Sequence, residues 1–85
     1  MTLEYHPLMR EFPEFHAELL ALHGSDAHFT RLAADYEALD KRIYRVEDGR
    51  EPLDAEALQV LKNERVTLNV EIARQLKQAA NGRGA

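Results

Sequence analysis

The stretch Phe29-Thr30-Arg31-Leu32-Ala33-Ala34-Asp35-Tyr36-Glu37-Ala38-Leu39-Asp40-Lys41-Arg42-Ile43-Tyr44-Arg45-Val46 decides the fold of this chain. Phe29, Leu32, Tyr36, Leu39, Ile43 and Val46 recur at alternating spacings of three and four residues. That is a heptad seam, the pattern by which one helix lies along another. Gly49 follows the stretch and suits the left-handed residue that ends a helix, so a helix is predicted over 26–48. Ser25 is its expected N-cap, with Asp26 in the first turn, where the helix dipole favours a carboxylate.

Working outward, residues 49–54 read as a turn that contains Pro52. Asp54 is placed to cap a further helix over 55–79, and Leu53 with Leu58 fits a hydrophobic staple. So short a connection makes the two long helices antiparallel neighbours. On a helical wheel the second one carries two apolar stripes. Leu58, Leu61, Leu68, Ile72 and Leu76 match the seam of its partner, which sets Tyr36 near Leu68 and Leu32 near Ile72. Val66, Val70 and Ala73 lie about 90–120° away, with Tyr44 of the opposite helix on the same side. Upstream, Pro13 marks a helix start for 13–23, and Phe12, Phe15, Leu19 and Leu22 share a face that must dock somewhere. Residues 1–11 show no periodicity and read as loosely held, as do residues 80–85. The expected architecture is all-α: an antiparallel, coiled-coil-like helical hairpin preceded by a short N-terminal helix, in one domain.

With 85 residues the core is small, and self-association is one way to enlarge it. There is no cysteine, so the redox compartment is left open. The net charge of −4 includes no basic segment, which removes the electrostatic basis for nucleic acid or an anionic membrane surface. No apolar run nears the roughly 20 residues that span a bilayer, and the N-terminus has no secretory pattern, so a cytoplasmic setting is expected.

Arg65 interrupts the main stripe opposite Asp40, and an ion pair between them across the hairpin is expected to fix register. Asn69 sits near the same face. His16 and His23 are seven residues apart and His28 follows Gly24; none has the spacing of a paired metal ligand, and they read as solvated or capping groups. Paired carboxylates such as Glu14 with Glu18 lie on faces expected to be solvated, the one serine is a cap, and the glycines mark helix ends and the tail. No catalytic, cofactor-binding or metal-binding residue is therefore expected, and no cofactor.

Glu11-Phe12-Pro13-Glu14-Phe15, Ser25-Asp26-Ala27-His28-Phe29, Tyr36, Leu39-Asp40, Ile43 through Gly49, Pro52, Leu61-Lys62, Arg65, Leu68 and Glu71-Ile72 together resemble the YdcH-like family of small bacterial proteins, a domain of unknown function. The resemblance covers residues 7–77 and is most specific at Ser25 to Phe29, with the Glu47-Asp48-Gly49 turn and Pro52 behind it. It implies a short, soluble, all-helical cytoplasmic protein and supplies no catalytic residues. Asn69-Val70 departs from the more charged pattern of similar proteins and makes the second stripe more apolar.

The expected function is protein interaction, as a small non-enzymatic regulator or adaptor. It would self-associate as a dimer or higher oligomer through Val66, Val70, Ala73 and Tyr44, and take a further protein partner. The alternative is a nucleic-acid-associated regulator, reached if assembly gathers Arg31, Lys41, Arg42, Arg45, Lys62 and Arg74 onto one face.

Overall fold

The computed structural model describes residues 6–84, and all its elements are helical: α1 (Pro7–Glu11), a 3₁₀ turn (Pro13–Phe15), α2 (His16–Leu22), α3 (Ala27–Glu47) and α4 (Ala55–Gly84). There is no strand among the described residues. The long helices α3 and α4 pack along each other as the antiparallel hairpin that the two seams require. Gly49, at φ +83°, reverses the chain after α3, and Asp54 opens α4 by accepting a 2.7 Å hydrogen bond from the Ala57 amide.

The start of α3 differs by one residue from expectation. Asp26 is the N-cap, its Oδ1 accepting from the Phe29 amide at 2.9 Å, while the Ser25 hydroxyl turns back to donate to the Ala21 carbonyl. That carbonyl lies in the last turn of α2, where acceptors lack intrahelical donors, so the hydroxyl is used there. At the other end α4 runs on to Gly84 through the segment read as a tail. Glycine is a poor helix former, but Gly82 has no left-handed conformation to stop the helix.

Residues 6–11 are not loose. Pro7 stands at the first position of α1, the same signal that Pro13 carries, and Leu8 is completely buried. Residues 1–5 of the segment read as loose, and Ala85 at the end of the expected tail, lie outside the described residues. Leu8, Phe12 and Leu19 fold back in cis onto Phe29, Ala33, Tyr36, Ile72 and Leu76, with Phe15 and Leu22 packed at the margin. The N-terminal segment is thus a lid on one end of the hairpin. Each large side chain buried there contributes roughly 1.5–3 kcal/mol.

Under this lid Ala73 packs against the core, so it does not belong with Val66 and Val70 in an open stripe. It lies at the level of Ala33, where the lid docks, and the two valines lie nearer the turn, outside the core cluster.

Candidate functional site

The expected site residues converge on a groove of about 530 Å³ between α1 and the turn half of the hairpin. α3 contributes Tyr36, Asp40 and Tyr44 at successive turns, α4 contributes Arg65, Val66 and Asn69, and α1 forms the third wall. Arg65 Nη1 donates to Asp40 Oδ1 at 2.8 Å, across the hairpin. The Asp40 side chain is the more enclosed, 14% exposed against 31% for Arg65, so the guanidinium bridges from solvent into the seam. Asn69 Nδ2 donates to Glu11 Oε1 at 3.2 Å and ties α1 to α4.

Tyr36 forms part of the floor and is 6% exposed. Burial pushes its phenol above the ordinary value, Asn69 pulls the other way, and the Glu11 and Asp40 carboxylates add to the rise. The hydroxyl is therefore held protonated, and the one enclosed carboxylate is neutralised by Arg65. The groove thus presents hydrogen-bonding groups beside the apolar side chain of Val66.

Tyr44 and Val66 line this groove and are exposed, and Val70 is exposed one turn further along α4. Ala73 stands apart from them. His16, His23 and His28 are exposed, and among the described residues no group of three His, Asp or Glu side chains is placed to hold a metal ion.

One buried polar residue escaped the sequence reading. His6 is 5% exposed and caps α1: its Nδ1 accepts from the Leu8 amide at 3.2 Å, and its Nε2 lies 3.0 Å from the Ala33 carbonyl, to which it donates. Both ring nitrogens are thus used by the neutral tautomer, and the ring fastens the lid to α3. Desolvation lowers its pKa from the ordinary 6.5; Glu37 opposes that shift, as does the bond to Ala33, and His23 and Lys41 reinforce it. The signal present in the sequence was His-Pro, a capping side chain directly ahead of an N1 proline.

On the opposite side of the hairpin a second, more apolar groove of about 740 Å³ runs between α3 and α4, walled by Leu39, Val60 and Leu68 and rimmed by Asp35, Arg42 and Glu64. No segment of the described chain covers it.

The family described as "Protein of unknown function (DUF465)" matches residues 29–76, which is the hairpin from the first seam residue to the last buried leucine. The chain belongs to this family. The DUF465 match agrees with the YdcH-like resemblance, since YdcH-like proteins are members of the same family of small proteins. No curated protein and no solved structure matches the chain. The lid, α1 and α2 included, lies ahead of the matched DUF465 residues, whereas Asp40, Arg65 and both grooves' hairpin walls lie within them. Among the described residues no helix is long and apolar enough to cross a membrane.

Proposed function

We propose that this DUF465 protein is a non-enzymatic protein-interaction module that self-associates through its hairpin and presents the remaining helical surface to a further protein. One observation carries the reading. Tyr44, Val60, Val66 and Val70 are 59%, 54%, 61% and 64% exposed on the two long helices, outside the core that the lid closes, whereas the lid itself exposes Leu20, at 51%. Large apolar side chains concentrated in this way mark association surfaces, because covering them releases water at about 25 cal/mol per Å². The polar groove supports a non-enzymatic role, since its carboxylate is paired and its phenol is held protonated.

The nucleic-acid reading has less support. Of the six basic residues that would form such a footprint, Arg31 holds Asp35, Arg42 and Arg45 hold Glu51, Lys62 holds Glu47 and Arg74 holds Glu71. Light scattering over a dilution series, repeated at rising salt, tests the proposal. The expected result is a mass of two chains or more that persists at moderate salt. A single-chain mass at every concentration removes self-association, and an assembly that forms only with nucleic acid and dissolves steeply with salt establishes the rival.

A further inference from the structure

We infer that the chain forms a two-fold symmetric dimer through the open groove between α3 and α4, with the helices of the two copies antiparallel and Asp35 of each copy facing Arg42 of the other. This rests on the interaction reading above and names its partner, a second copy of this chain.

Asp35, Leu39 and Arg42 of the groove's α3 wall belong to a heptad stripe that Leu32 and Val46 extend beyond it at either end. Leu32, Asp35, Leu39, Arg42 and Val46 follow at spacings of three, four, three and four, so that one acidic and one basic side chain alternate with three apolar ones. A stripe with opposite charges seven residues apart is complementary to itself when reversed. Placing the two-fold axis between Ala38 and Leu39 brings Asp35 and Arg42 together twice, and leaves Leu39 to pack on its counterpart across the axis. The Asp40–Arg65 bond fixes the hairpin's register and sets Thr67 of α4 near the same level, where two small threonines tolerate close approach.

The other two-fold arrangement, with the axis along the hairpin, lays α3 of one copy on α4 of the next. There Asp35 meets Glu71, a like-charged contact, while Arg42 meets Glu64, an opposite-charged one. The antiparallel form sets opposite charges together at both positions and is the better match. Each partner has a contact within its own chain, Asp35 with Arg31 and Arg42 with Glu51, which the dimer contact would replace. The Asp35 side chain is half exposed beside the exposed end of Arg31, and Glu51 keeps Arg45 if Arg42 turns outward. The 21 residues of α3 span about 31 Å, and a face two helices wide covers about 600 Å² per copy. The total of about 1,200 Å² stands at the lower edge of stable interfaces, which makes the dimer concentration-dependent.

The test is the solution mass of the full chain across a dilution series, for the intact sequence, Asp35→Arg, Arg42→Asp, an equimolar mixture of these two variants, and Val66→Asp with Val70→Asp, each checked for helix by circular dichroism. The expected result is a dimer for the intact chain, weakened about tenfold or more by either single reversal, restored in the mixture, and unaffected by the valine changes. Restoration requires both variants to be folded, because only the mixed dimer regains both opposite-charge contacts. A monomeric intact chain overturns the inference and the self-association reading together. A dimer that the valine changes dissolve and the reversals do not overturns the groove alone. Two weakened variants that fail to rescue each other overturn the antiparallel geometry.

Discussion

At the lidded end of the hairpin, Phe29, Ile72 and Leu76 are completely buried beneath Leu8 and Leu19, so that end holds five of the six largest fully enclosed side chains; the turn end has Ile43 alone. The turn end instead carries Asp40–Arg65, Glu47–Lys62, Asp48–Arg50 and the Glu51 contacts to Arg42 and Arg45. Two antiparallel helices cover each other's seam residues on one side only, so a third layer is needed wherever an apolar core is to be closed. Where the lid supplies that layer, the core is closed. Where it does not, charged pairs hold the helices in register and the apolar side chains beyond the seam stay open to a partner.

The largest test of this contrast is truncation on either side of it. Phe29→Ala is expected to cost about 3–5 kcal/mol in denaturant unfolding, and of the matched pair Ile72→Ala and Ile43→Ala, each about 2–5, the larger loss is expected at Ile72 beneath the lid. Equal losses from truncations matched in size would end the distinction. Next comes the fastening of the lid. His6→Gln removes hydrogen bonds on both sides of the ring and should destabilise by about 1–2 kcal/mol. Because the folded pKa lies below 6.5, the native state binds the proton less readily than the unfolded chain does. The His6 contribution is therefore complete above 6.5 and lost as the pH falls through that value towards the folded pKa. Unfolding of the intact chain should show this decline and the Gln variant should lack it; parallel pH profiles would assign the effect elsewhere.

Asp40→Ala comes third, at about 1 kcal/mol, a value reduced from that of an enclosed charged pair because Arg65 is partly solvated. A double-mutant cycle with Arg65→Met reads the coupling directly, and zero coupling would mean that the pair follows the register rather than fixing it. Smallest of all is Val66→Asp with Val70→Asp. Both positions are exposed, and a change within about 0.5 kcal/mol each is expected if nothing covers them in the isolated chain. A large loss would show that this side of the turn end is covered after all.

Most of the hairpin was legible because its signals are local. The seam of α3, the Gly49 turn, the Asp54 cap and the Asp40–Arg65 pair follow from spacing along single helices and from one short loop that fixes how they face each other. Of the groove, Asp40, Tyr44, Arg65 and Val66 were readable in this way. The contributions of Tyr36, Glu11 and Arg10 were not, because they depend on where α1 docks.

What the sequence determined by itself is the all-helical hairpin, its register and its DUF465 membership. The tertiary structure decided that Phe12 and Leu19 cover their own hairpin, that Ala73 goes under the lid while Val66 and Val70 do not, and that His6 becomes a buried fastener. The reason is physical. Helical periodicity is set by backbone geometry within a few residues, whereas the choice among several apolar faces depends on which one a short segment can reach and cover while satisfying its own polar groups.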